Sequence, residues 1–367
     1  MVRSLGSCAV VINPRRYPEA VSRLEKLLEK TDVSDVVISD SKHDFIDSVK
    51  RFYAEDLDNI LVWGGDGTAH DAINAIMESK RSLQPRKTSI GFLRGGSGNG
   101  IQDSYEVPHD IIRPLERQIS CYEESIREGY TMDVDLIMAK DSVSSSYCQL
   151  VGLGFDAKVL ENREAHKFKK GALKGETRTG LNNYVMSSLT TFFKDYDELS
   201  NGFTIEMRDG KNVVAGHRTK AEHRFSEAAR MTAAPLIEIG TRPYYGKMFR
   251  ICPDVVCNDG KMDLYVFNFE GKWDALRSLP WIYAGRHDVL NKRFARKEKP
   301  PIERYEVRYA KVSSPESFNY HIDGELKHSS QDSSGMFSLE LEIVPEAISF
   351  LVPKSFYKSF HWFENDY

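Results

Sequence analysis

The residues of this chain best suited to chemistry lie on two glycine-rich turns. One reads Gly64-Gly65-Asp66-Gly67-Thr68-Ala69-His70-Asp71 and follows the apolar run at 60–63. Glycines there permit positive φ and close backbone approach, so consecutive amides can converge on an anion. A helix starting at the turn adds the partial positive charge of its N-terminus. Thr68 can hydrogen-bond a phosphate or cap that helix. Asp66 is the unexpected member, because a carboxylate beside phosphates is repulsive unless it binds a metal or accepts a proton. Read locally, the same residues also describe an ordinary strand-to-helix turn with a capping acid.

The second turn, Gly95-Gly96-Ser97-Gly98-Asn99-Gly100, follows the apolar run at 90–93. Ser97 and Asn99 can donate to phosphate or ribose, and the glycines remove side-chain bulk. A lone glycine-rich loop is weak evidence. Two of them on neighbouring strand ends, one with an embedded Asp, point to a nucleotide. The chain has neither a GxxxxGK[ST] loop nor a GxGxxG turn at these positions, so the two commonest nucleotide folds are not indicated.

The elements that must position these turns follow from periodicity. Short apolar runs at 8–12, 36–38, 60–63 and 90–93 read as buried strands. Between them, Ala20, Val21, Leu24, Leu27 and Leu28, then Phe45, Ile46, Val49, Phe52 and Tyr53, repeat at helical spacing. Strands alternating with helices predict a doubly wound α/β domain over residues 1–130, and ligands in such sheets bind at the carboxyl ends of the strands. From about residue 130 short strand-like runs follow one another, at 132–138, 147–151, 203–207, 262–267, 305–309, 337–343 and 348–352. Asp209-Gly210, Asp259-Gly260 and Asp323-Gly324 read as turns between them. This pattern predicts an antiparallel β-sandwich over 131–345, with 346–367 a C-terminal segment able to return to the first domain.

Taken in order along the chain, these motifs resemble the diacylglycerol kinase catalytic-domain superfamily, which includes YegS-like lipid kinases, sphingosine kinases and ceramide kinases. The resemblance rests on GGDGT at 64–68, GGSGN at 95–99, Gly152-Leu153-Gly154-Phe155-Asp156-Ala157, the run PDVVCNDGKMD at 253–263, and Asp323-Gly324-Glu325. It implies an α/β nucleotide domain followed by a β-sandwich, and transfer of the γ-phosphate of ATP to a lipid hydroxyl with Mg²⁺. By match to the family, ATP would be held by Ser39, Gly64, Gly65, Asp66, Gly67, Thr68, Ala69, His70, Ser97 and Asn99. Asp66 and Glu325 are the two candidate catalytic carboxylates. Val256, Asp259 and Lys261 match a magnesium site, Asp259 through its side chain and the others through their carbonyls. Asp133 and Asp156 match carboxylates on the substrate side.

Two departures bear on the lipid. Gly100 stands where bacterial diacylglycerol kinases carry an Asp, and the run Gly65-Asp66-Gly67-Thr68-Ala69-His70-Asp71 is close to the GDGxxHE of sphingosine kinases. Both tilt the expected substrate toward a sphingoid base, with a diacylglycerol-type lipid beside it. Tyr17 replaces the glycine expected after Asn13-Pro14. The alternatives are an NAD kinase-like phosphotransferase, which shares the GGDG turn, and a nucleotide- or lipid-binding regulator without catalysis. The Asn258-Asp259-Gly260-Lys261 segment speaks against the first, and the presence of Asp66, Asp259 and Glu325 against the second.

Composition narrows the class further. Over 367 residues the net charge is −4 and hydrophobic residues make up 41 %, which is globular usage without the basic excess of a nucleic-acid binder. The five scattered cysteines predict free thiols in a reducing compartment, and the ten dispersed histidines show no ligand spacing, so no zinc site is expected. Absence of an N-terminal apolar h-region and of any long apolar stretch predicts a cytoplasmic protein, peripheral at a membrane surface that it visits transiently for its lipid. A homodimer stays open. The basic segment 163–178 reads as a solvated charged face, with anionic headgroups the alternative. Segment 183–196 suits either a core helix or the wall of a lipid site. The aromatic tail at 356–363 reads as a final helix docked on the protein, with a membrane interface the alternative.

Overall fold

The computed structural model describes residues 5–15, 17–55, 57–82, 88–96, 98–109, 114–171, 191–196, 199, 202–214, 223–245 and 249–365. Ser97, most of the basic segment's C-terminal half and residues 183–190 lie outside these. The chain divides into two compact units, residues 1–134 with 346–367, and residues 135–345.

The first unit alternates strand and helix: β1 (Cys8–Ile12), α1 (Pro18–Leu28), β2 (Asp35–Ile38), α2 (Lys42–Ala54), β3 (Asn59–Gly64), α3 (Asp66–Ser82), β4 (Ser89–Arg94), α4 (Gly100–Ser104) and α5 (Pro114–Glu128). β1, β3 and β4 are continuous apolar runs because helices cover both faces of a parallel sheet. β1 pairs in parallel with β2 on one side and β3 on the other, and β3 with β4, giving the order 2-1-3-4. The order reverses between β1 and β3, and that switch point is where open α/β sheets bind ligands. Phe350 extends the sheet beside Ile90 of β4. Around the sheet pack Val21, Leu24 and Leu28 of α1 with Leu61, Trp63, Leu93, Ile119 and Tyr122. The Tyr122 hydroxyl donates to Phe92 O and accepts from Phe92 N, so even the buried polar tip is satisfied.

The second unit is built from β5 (Thr131–Lys140), β6 (Ser145–Cys148), β7 (Leu150–Gly154), α6 (Phe155–Gly171), β8 (Phe203–Val214), β9 (His223–Thr232), β10 (Leu236–Gly240), β11 (Met262–Phe267), α7 (Lys272–Tyr283), α8 (His287–Ala295), β12 (Ile302–Val307), β13 (Tyr309–Ser314), β14 (Asn319–Ile322), β15 (Glu325–His328), β16 (Ser330–Gln331) and β17 (Phe337–Leu351), the first residues of β5 and the last of β17 belonging to the first unit. A closing helix, α9 (Lys354–Asn365), belongs to the first unit. The unit's pairings are antiparallel: β15 to β14, β14 to β7, β7 to β10, β10 to β11, β11 to β12, β12 and β13 to β8, β8 to β9, and β13 to β17. β12 and β13 run on in one register against β8, interrupted at Arg308, so the long strands are shared and the sheet folds over an apolar core that includes Ile205, Ile237, Leu264, Val307, Val312 and Leu339.

Three details differ from the sequence reading. Residues 147–151 belong to two strands, β6 and β7. Asp209-Gly210 does not end a strand: β8 passes straight through it, with Asp209 at φ 49° making a local bend. Residues 337–343 and 348–352 fall largely in the single long β17. The aromatic tail forms α9, where Phe356 meets the ring of Tyr105 at 5.1 Å and Lys354 pairs with Glu124 at 2.6 Å.

Candidate functional site

Both glycine turns sit at the carboxyl ends of β3 and β4. They touch backbone to backbone. A Cβ placed on Gly96 would lie 2.3 Å from Gly65 Cα and 2.6 Å from Gly98 O, and one on Gly65 would lie 2.9 Å from Gly96 Cα. Neither glycine has a positive φ, so close approach is what demands glycine here. Gly95 N donates to Gly64 O at 2.9 Å, and the Gln102 amide donates to Gly64 O and Leu93 O, tying the turns together from below.

α3 begins at Asp66, with Ala69 N donating to Gly65 O at 3.0 Å. Helix geometry leaves the first-turn amides of Asp66, Gly67 and Thr68 without intrahelical acceptors, and the dipole adds positive potential at the same end. Thr68 is therefore inside the first turn. Its Oγ1 accepts from the Asn13 side-chain amide at 3.0 Å, which leaves the hydroxyl proton to donate elsewhere. Asn13 is anchored at the end of β1 by its own N–H to Trp63 O. Asp66 accepts from Ile101 N at 3.1 Å through one carboxylate oxygen, while the other faces Gly98 closely enough that a Cβ there would lie 2.7 Å from it. The carboxylate is thus pinned between the two turns.

Other residues expected around ATP make hydrogen bonds within the protein. Both Asn99 side-chain atoms bond the backbone of Gly96, locking the second turn. Ser39 is buried and donates both N–H and hydroxyl to Ile12 O. His70 is buried within α3, beside the Asn74 amide. Ser39 braces the end of β1, Asn99 the second turn, and His70 lies inside α3; Ser97 lies outside the described residues.

In the second unit the segment around Asp259 forms a tight turn. Gly260 takes φ 71°, its N–H donates to Asp135 Oδ2 at 2.7 Å, and Lys261 N donates to Asp259 Oδ1 at 3.1 Å. Protein packed around the Asp259 carboxyl pushes its pKa up to about 6, with Glu306 and Asp135 adding to the rise and Lys261 opposing it, although the side chain keeps an exposed face. With the Val256 and Lys261 carbonyls expected beside it, the Asp259 carboxylate would offer an all-oxygen donor set of the kind a hard cation takes. Asp135 was not anticipated. Its signal was an Asp inside the apolar run at 134–137, which requires a buried partner. Glu325 opens β15, directly after the Asp323-Gly324 hairpin turn, whose two residues both have positive φ (48° and 85°). Asp323 is buried against Arg242 at 3.3 Å.

Of the two expected substrate carboxylates, Asp133 is exposed and within electrostatic reach of Lys80, toward the far end of α3. Lys80 is fourteen residues from Asp66, roughly 20 Å along the helix. The structure does not bring Asp133 to the glycine turns. Asp156 is turned inward, into a buried group with Glu238 and His321. Burial pushes Asp156 well above the usual carboxylate range and Glu238 up to about 8, and it holds His321 down to about 4.

Comparison with known proteins places this geometry. The diacylglycerol kinase catalytic domain matches residues 8–137, and the YegS C-terminal NAD kinase beta sandwich-like domain matches residues 149–352. A protein of Mycobacterium tuberculosis named "Diacylglycerol kinase" is 21 % identical over 340 residues, covering 91 % of this chain and 89 % of that one. A Shewanella frigidimarina protein named "Probable lipid kinase YegS-like" is 21 % identical over 327 residues, 89 % of this chain and 87 % of its own. A crystal structure of a diacylglycerol kinase from Bacillus anthracis str. Sterne superposes with a TM-score of 0.56 at 16 % identity, over 95 % of this chain and 97 % of that one. With both halves matched in order and an α/β unit preceding a β-sandwich, the chain belongs to the family of diacylglycerol kinase-type and YegS-like lipid kinases.

Proposed function

We propose that the protein is an ATP-dependent lipid kinase that transfers the γ-phosphate to the hydroxyl of a sphingoid base or diacylglycerol-type lipid. One observation carries the reading: the backbone contact of Gly65 with Gly96, which sets bare amides at the start of α3 and pins Asp66 beside them. Phosphoryl transfer depends on positioning and charge neutralisation more than on covalent help from the protein, and this arrangement supplies both. The α3 amides and the Thr68 hydroxyl cradle the phosphates. Asp66 is oriented to take the proton of the attacking hydroxyl or to hold a metal, and Glu325 is the second candidate for the proton.

Mg²⁺ fits the donor set of Val256, Asp259 and Lys261, where it would neutralise negative charge. We assign contact with a bilayer to α7, which exposes Trp273, Leu279 and Tyr283 together with Arg277, and whose Trp273 packs on Phe192, the neighbour of exposed Phe193. No helix among the described residues is long and apolar enough to cross a membrane.

The reading is tested with γ-labelled ATP, Mg²⁺ and a panel of sphingosine, diacylglycerol, ceramide and monoacylglycerol, with NAD as the non-lipid acceptor. Label is expected in at least one lipid and not in NAD. Label in NAD alone, or in nothing, overturns it.

A further inference from the structure

We infer that Asp156, Glu238 and His321 form a binding site for a first-row divalent metal ion, Zn²⁺ foremost, buried in the second unit and separate from the Asp259 turn. The site is made by strand register. Gly152 on β7 is directly opposite Glu238 of β10 on one side and opposite His321 of β14 on the other. Three cross-strand neighbours thus form a row in which the middle one has no side chain. A Cβ on Gly152 would lie 2.2 Å from His321 Nε2 and 2.5 Å from Glu238 Oε1, so the two outer side chains lean into the space that the glycine leaves. Asp156, in the first turn of α6, completes the group.

The distances suit one ion. His321 Nε2 is 3.7 Å from Glu238 Oε1 and 4.0 Å from Asp156 Oδ2. Two ligands of a tetrahedral zinc lie about 3.4 Å apart, so the 3.7 Å pair is close to that spacing and the 4.0 Å pair closes onto an ion by drawing in about half an ångström. Two carboxylates and an imidazole favour zinc, manganese or iron over magnesium and calcium, which prefer oxygen alone.

The second observation is what these atoms otherwise lack. Glu238 and His321 are 0 % exposed and Asp156 6 %. Asp156 and Glu238 face each other closely enough to share one proton, and beyond that neither Glu238 oxygen nor Asp156 Oδ2 has a hydrogen-bond partner, nor does either ring nitrogen of His321. So many buried polar atoms pointing at one another cost several kcal/mol unless something joins them. Arg242 pairs with Asp323 and donates to Tyr244 O; its charge reaches Glu238 and favours the ionised form, yet no hydrogen bond joins the two. A divalent ion balances the two carboxylates and occupies the Nε2 lone pair in one step.

The site stands on the second unit alone and does not depend on the kinase reading. It is tested by elemental analysis of the full-length protein, purified with Zn²⁺ present and then dialysed, alongside Glu238→Ala, His321→Ala and Asp259→Asn. Wild type and Asp259→Asn are expected to retain roughly one equivalent of zinc, and the other two to lose it. Because those two could fail to fold, wild-type melting is measured in parallel with Zn²⁺ and with chelator after metal stripping; a rise of several degrees with Zn²⁺ is expected. A folded wild type that retains less than about a tenth of an equivalent of zinc, manganese, cobalt or iron overturns the site, and the triad then shares protons only. Zinc that persists in a folded His321→Ala variant overturns it equally.

Discussion

Gly96→Ala is the sharpest perturbation of the phosphate turn. The added methyl would sit 2.3 Å from Gly65 Cα, 2.6 Å from Gly98 O and 2.9 Å from Gly65 N, all backbone atoms with no rotamer to turn aside. Ordinary contact begins near 3.4 Å, so the two turns must part by 3.4 − 2.3, or about 1 Å. Gly65 immediately precedes the first residue of α3, and the opening is therefore delivered to the amides and to Asp66. A displacement of this size costs about 100-fold in turnover, or roughly 2.7 kcal/mol of transition-state stabilisation. The overpacking itself costs about 1–3 kcal/mol of stability. The assay is kcat and KM for ATP with the lipid found to be phosphorylated, plus a thermal melt. Gly271→Ala serves as control, since a methyl there meets nothing within 4 Å and its φ of 177° suits any residue. Gly96→Ala with kcat within about twofold of wild type and an unchanged melt would refute the close approach of the turns.

Gly98→Ala should separate chemistry from stability, because its methyl would meet only the Asp66 carboxylate, 2.7 Å from Oδ2; kcat should fall at least tenfold with less than about 1 kcal/mol lost in urea unfolding, and normal turnover would contradict it. His287 is fully buried against the rings of Tyr265 and Phe267, and burial, reinforced by Arg250 and opposed by Asp254 and Asp288, lowers its pKa to about 4. The unfolded chain then takes up the proton first, so stability is lost as pH falls from about 6.5 toward 4, by roughly 2 kcal/mol between pH 7 and 5. His287→Gln should flatten that slope by about this amount in urea titrations at the two pH values, and an unaltered slope would show that the group does not titrate on unfolding. Trp273→Ala should weaken binding to anionic vesicles severalfold in a sedimentation assay while turnover of a short-chain soluble lipid stays near wild type; unchanged vesicle binding would remove α7 from the membrane contact.

What the sequence made legible was mainly what is local. β1, β3, β4 and β11 are apolar runs bounded by turn residues, and both glycine turns are contiguous, so neighbours in the chain are neighbours in space. β9 escaped notice because its residues are exposed or half-exposed throughout and carry charge, leaving no apolar run to read. β10 is only five residues with Glu238 at its centre. Asn99 and Ser39 look like ligand donors by type, yet the Ser39 hydroxyl and one Asn99 amide proton go to backbone carbonyls, a pairing that no residue type announces. The histidines showed no ligand spacing along the chain. His321 joins Asp156 and Glu238 only because β7 pairs on both sides at Gly152, and register between distant strands is absent from local pattern.

The most direct test of the central claim compares wild type with Asp66→Asn in a single preparation, measuring γ-phosphate transfer to lipid together with ATP affinity. The amides of α3 remain in place in this variant, so ATP should bind within a few-fold of wild type while transfer falls by about 10²–10⁴-fold. Transfer at the wild-type rate by Asp66→Asn would contradict the assignment of the reacting carboxylate to the turn at 64–68.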